Sequence, residues 1–222
     1  LLFQLLNSQV IGTLYGTETW PVTYQVIEVL EGTLGLFLLV VLTFYAGDLV
    51  WHDRDLGTAP LYDSLPTPDV LPLVAKAVAL FAVIVGMHAT VLVMGIGVQL
   101  FDGYTHFEVG LYLRWLFGLS LLDWLPYVAV ALAVHVIVDN KVVGHLLLVV
   151  FYVAQGFRGQ LGFEYNLPWF GSDPGRTYSD MNGWGWFLGP FVVYKLYWIA
   201  VGVGFMAVAA LLWVRGADGG WR

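Results

Sequence analysis

Residues 34–51 read LGLFLLVVLTFYAGDLVW and run directly into His52-Asp53-Arg54-Asp55. An apolar run of about 20 residues is what a helix needs to cross the hydrocarbon of a bilayer. Lipid offers the backbone no water, so a spanning segment must satisfy its own hydrogen bonds, and a helix does so. The abrupt stop at an ionisable cluster marks the edge of the lipid. Working outward, similar runs recur at about 73–100, 116–138, 142–157 and 191–214. The 222 residues are 59% hydrophobic and only 11% charged, whereas a soluble domain carries about 25% charged residues. Mean hydropathy is +0.77. The chain is therefore expected to be all-α: a polytopic helical bundle of about five spans, one transmembrane domain over 1–222, with the lipid bilayer as its main partner.

The connectors have distinct characters. Residues 52–72 are charged and punctuated by Pro60, Pro66, Pro68 and Pro72, which break any long helix. Residues 101–114 are polar, with Asp102, His106 and Glu108, and Asp139-Asn140-Lys141 is a tight turn. Pro126 is expected to kink the third span. Residues 158–190 form a long aromatic loop rich in Gly, Pro, Trp and Tyr. Within the second span, Ala75, Ala79, Ala82, Gly86 and Thr90 share one face, which is expected to pack closely on another helix. The opening LLFQLL starts inside an apolar run and is read as the cut end of a longer protein; 1–14 is either the tail of a span or an interfacial helix. Placing 52–72 and 139–141 in the cytoplasm leaves five Lys and Arg on that side against four on the other, a weak bias.

Several chemistries are excluded. The net charge is −7 with no basic stretch, so nucleic acid is not a partner. Cysteine is absent, which removes disulfides, thiolate ligands and a thiol nucleophile. No phosphate-binding loop, HExxH or GxSxG occurs, and no two of the five histidines are three or four residues apart. No catalytic residue, metal or cofactor is expected here. What remains are ionisable groups inside spans, His88 and His135, which act as a proton relay or polar point on a path, or else as neutral histidines bonded to a neighbouring helix. Asp123 is read as a headgroup anchor. In the outer loop, Trp169, Phe170, Tyr178, Trp184, Trp186 and Phe187 suit an interfacial belt, or a lid over a lateral opening. Tyr178-Ser179-Asp180 is expected to start a short surface helix there, making Tyr178, Asp180, Trp184 and Trp186 a candidate external gate.

Seven ordered blocks carry a resemblance. Phe44 to Asp55 (FYAGDLVWHDRD), Asp63 to Pro68 (DSLPTP), Gln99 to Tyr112 (QLFDGYTHFEVGLY), Asp139 to His145 (DNKVVGH), Leu161 to Asn166 (LGFEYN), Tyr178 to Gly183 (YSDMNG) and Trp213 to Gly216 (WVRG) are similar to segments of one bacterial membrane-protein family. That family is the ABC-2-type permease fused to an M1 (gluzincin) aminopeptidase. The resemblance covers about 20–216. Asp48, His52, Asp53 and Tyr165 depart from the family's Glu, Arg, Glu and His. It implies the second permease half of a multi-pass protein of the bacterial inner membrane. The other permease half and the zinc peptidase domain would lie elsewhere in the same chain, and the ABC ATPase would be a separate subunit. It also implies that Asp48, Trp51, Arg54 and Asp55 belong to the segment that couples to this ATPase. Two other readings stand beside it: a passive membrane anchor or assembly platform for the fused peptidase, and an intramembrane enzyme using His88, His135 or Asp123.

Overall fold

The computed structural model describes residues 20–68, 70–138, 140–157 and 165–213. Six helices make up these residues: α1 (Thr23–Asp55), α2 (Ala59–Asp63), α3 (Val70–Phe101), α4 (Val109–Val138), α5 (Lys141–Gly156) and α6 (Leu188–Leu211). A single 3₁₀ turn, Gly185–Phe187, leads into α6, and Leu113–Ser120 of α4 is wound as a π-helix. Four helical segments are long and apolar enough to cross a membrane: α1, α3, α4, and α6 with its 3₁₀ turn. This is a multi-pass membrane architecture. The expected fourth span is α5, which at 16 residues is shorter than a crossing requires.

Local sequence sets the helix ends. α1 and α3 close with the same hydrogen-bond pair, Gly57 N–H to Arg54 with Thr58 N–H to Asp53, and Gly103 N–H to Leu100 with Tyr104 N–H to Gln99. Gly57 and Gly103 take the left-handed conformation that this terminator needs. Asn140 caps α5, its Oδ1 accepting from the Val142 and Val143 N–H groups at 3.0 and 3.1 Å. Pro126 lies inside α4 and is buried. α4 begins at Val109, seven residues before the expected start, because helix continues through the polar stretch around Arg114.

The chain forms two compact units: residues up to Leu38 with Ala82–Leu121, and Leu39–Phe81 with the residues from Leu122 on. In the first, Val26, Ile27, Leu30 and Leu34 of α1 are buried, as are Ile84, Val91 and Val98 of α3 and Leu111, Trp115 and Leu116 of α4. Several of its polar groups are paired with each other. Gln99 Nε2 donates to the Pro21 carbonyl at 2.9 Å and accepts at Oε1 from the buried Tyr112 hydroxyl at 3.0 Å. Trp115 Nε1 donates to Glu31 at 2.8 Å. Gly95 leaves room for the Tyr112 ring.

The small-residue face of α3 is a correction. Ala75, Ala79, Ala82, Gly86 and Thr90 are all exposed, and nothing lies within 4 Å of a Cβ built on Gly86. The buried stripe is instead Leu73, Leu80, Ile84, His88 and Val91, because the larger apolar side chains remove more surface. Gly86→Leu is thus expected to be neutral or stabilising by up to about 1 kcal/mol in detergent; a clear loss in thermal unfolding would place a helix against this face.

Candidate functional site

All three clusters below lie within the second unit. The first is where the 52–72 connector meets the helices. Lys141 Nζ is 2.7 Å from Asp55 and 3.7 Å from Asp48, and Lys76 Nζ is 3.2 Å from Asp53 and 2.5 Å from the Leu49 carbonyl. Hydrogen bonding to Asp55 raises the Lys141 ammonium pKa above its ordinary value. The Arg54 guanidinium lies over the Trp51 ring at 4.9 Å. The expected coupling residues therefore separate by role: Asp48 and Asp55 tie α1 to the start of α5, while Arg54 stacks on Trp51. The Lys141 pairs are solvent-exposed and weak, whereas Lys76 and Asp53 are partly buried. These pairs tie the end of α1 to α3 and to the start of α5, and α2 follows with Leu56, Leu61 and Leu65 exposed around it.

The second cluster is a pair of histidines. His135 is fully buried near the end of α4, and its ring meets that of His145 on α5 edge-on, 4.7 Å between centroids. His145 Nδ1 is 3.1 Å from the Thr43 carbonyl. A carbonyl only accepts, so this nitrogen carries the hydrogen. The rings fit because two glycines lie against them. A Cβ on Gly144 would fall within 3.0 Å of His135 Nδ1 and Cε1, and one on Gly47 would do the same to both rings. The spacing of histidines along the sequence hides this pair, since it forms across the turn between α4 and α5. His88, the other intramembrane histidine, belongs to the first unit; its Nδ1–H donates to the Ile84 carbonyl of its own helix at 2.9 Å.

The third cluster gathers charge beneath the aromatic loop. Lys195 is 2% exposed, and its Nζ lies 2.8 Å from Asp123, 2.6 Å from Asp173 and 2.7 Å from the Gly171 carbonyl. The Gly171 carbonyl accepts a hydrogen bond from the ammonium, and the two carboxylates are its ion-pair partners. Arg176 bonds the other oxygen of Asp123 at 2.8 Å and lies over the Phe191 ring. Two cations and two carboxylates thus balance. Asp123, read as a headgroup anchor, is the hub joining α4 to α6 and the loop. Lys195, Asp173 and Arg176 were not anticipated. The available signal was a lysine placed seven residues into an apolar helix, where a buried charge must have a partner.

The loop residues expected to form a gate are arranged otherwise. Tyr178, Ser179 and Asp180 start no helix: Ser179 and Gly183 exchange backbone hydrogen bonds at 2.9 and 2.6 Å, closing a tight turn. Asn182 and Gly183 supply that turn more readily than a helix start. Asp180 is exposed. Tyr178 and Trp184 pack edge-on at 5.2 Å, and Trp186, 76% exposed, stacks on Phe187. The expected short helices reduce to the one 3₁₀ turn. The part of the loop at 158–164 lies outside the described residues.

An apolar groove of about 240 Å³ opens between α3, α4 and α6, lined by Val74, Phe81, Val128, Ala129, Gly202 and Met206 among others. Among the described residues no group of three or more His, Cys, Asp or Glu is placed to hold a metal ion. No protein-family model, curated protein or solved structure matches this chain.

Proposed function

We propose that this chain is the transmembrane permease half of an ABC-2-like transporter of the bacterial inner membrane, driven by a separate ATPase subunit. The observation that carries this reading is the form of the connector between α1 and α3. It carries a short helix directly after the last turn of α1, whose Asp53 and Asp55 are ion-paired to Lys76 of α3 and Lys141 of α5, and Leu56, Leu61 and Leu65 are exposed along it. A rigid, partly apolar element outside the spans can dock on a partner and transmit its motion, which a solvated loop cannot. The apolar groove at the depth of the spans suits a hydrophobic substrate. On this reading Arg54 and Leu61 belong to the docking surface, and the loop end faces the other side of the membrane.

Arg54→Glu reverses a charge on that surface and touches no ion pair among Lys76, Lys141 and their carboxylates. The expected outcome is normal insertion with loss of ATPase co-purification and of ATPase stimulation. If both survive unchanged in the variant, the docking reading fails and the chain is better described as a passive anchor or assembly platform for a fused peptidase.

A further inference from the structure

The loop beneath the aromatic residues sits at a depth that can be measured along the helices. Lys195 lies sixteen residues before the end of α6 and Asp123 fifteen before the end of α4, so both are about 22–24 Å from the connector end at 1.5 Å per residue. α5 rises about 24 Å from Lys141 and stops at the same level. The hydrocarbon layer is about 30 Å thick. Taking the ion-paired Lys141, Asp48 and Asp55 as its edge at the connector end puts the charged cluster inside it rather than at the far surface.

Irregular backbone survives at such a depth only when the protein satisfies it, and here it does. Tyr127 of α4 and Gln155 of α5 both donate to the Phe170 carbonyl at 3.2 Å. Lys195 takes the Gly171 carbonyl and Trp198 Nε1 the Ser172 carbonyl at 3.0 Å. Ser172 Oγ donates to the Asn166 carbonyl. The Phe170 ring is driven among Tyr127, Phe151 and Trp198, with centroids 4.9–5.7 Å away. A surface loop has no reason to offer three successive carbonyls to side chains of three helices.

We propose that Asn166–Arg176 is a re-entrant segment lodged inside the bilayer at the end of α5, and that the Asp173–Lys195 and Arg176–Asp123 pairs are the latch that keeps it there. Opening this end of the bundle requires the latch to part. The pairs suit that role because releasing both leaves Asp123 with Lys195 in the bundle and Asp173 with Arg176 in the loop. Each product is neutral, so parting strands no net charge in lipid.

These 222 residues contain no cysteine, so an introduced thiol is the single one among them. Ser172→Cys and Met181→Cys are each placed in the full chain, reconstituted in nanodiscs and exposed to a membrane-impermeant maleimide. Met181 is 98% exposed and reports normal access. Ser172→Cys is expected to react at least about tenfold more slowly. Equal rates would put the segment on the surface and end the proposal. Asp173→Asn with Arg176→Gln removes both loop-to-bundle pairs while keeping Asp123 with Lys195 and the net charge. In that background Ser172→Cys should speed up by about tenfold while Met181→Cys does not change; no acceleration would remove the latch. Asp173→Asn alone gives the same readout at smaller amplitude if the double variant is poorly produced. Neither rate depends on an ATPase partner, so a failure here leaves the permease reading standing, and the reverse also holds.

Discussion

Replacing Lys195 with methionine is expected to lower the unfolding free energy in detergent by about 3–5 kcal/mol, the cost of leaving a buried ion-pair network without one of its charges. Methionine keeps much of the length of the side chain, so packing changes little. Asp173 then has no cation, the Gly171 carbonyl loses its donor, and Asp123 keeps only Arg176. Tryptophan fluorescence during denaturant or SDS titration would read the loss. A change below about 1 kcal/mol is the signature of solvated pairs and would mean that water reaches this cluster freely.

The second large effect is expected from one methyl group. Gly144→Ala should cost about 1–3 kcal/mol by overpacking, against a gain in helix propensity of about 1 kcal/mol that alanine would otherwise bring. The new Cβ meets the His135 ring, which cannot retreat because Gly47 lies against it and His145 sits 4.7 Å away. Gly204→Ala in α6 is the control: nothing lies within 4 Å of its Cβ, so alanine there should be neutral or stabilising by up to about 1 kcal/mol. Equal behaviour of the two variants in thermal unfolding would show that the histidine pair is loosely held.

The membrane class and the approximate positions of the long helices were legible because they follow from runs of apolar residues, which are local. The run at 73–100 became Val70–Phe101 and that at 191–214 became Gly185–Leu211. The early start of α4 was not legible, since Arg114 read as connector although a helix carries it. The face that α3 buries was misjudged for another reason. The spacing of Ala75, Ala79 and Ala82 defines a face, but only the neighbouring helices decide which face is covered. The charged cluster depends on still longer range: Asp123 and Lys195 lie on different helices, and no local period connects them. Their mutual need was visible only as the general cost of a charge in lipid. The histidine pair was half visible: His135 was marked as an intramembrane polar group, while the search for histidines three or four residues apart could not reach His145 on the next helix.

The close fit of His135 between Gly47 and Gly144 places a constraint on descent as well as on stability. Alanine at 144 and histidine at 135 cannot comfortably coexist, so the two positions should drift together. A protein of this fold with a larger residue at 144 should carry a smaller side chain at 135. In the laboratory the same coupling would appear as non-additivity: His135→Ala should absorb most of the cost of Gly144→Ala, because the ring that the methyl group strikes is no longer there.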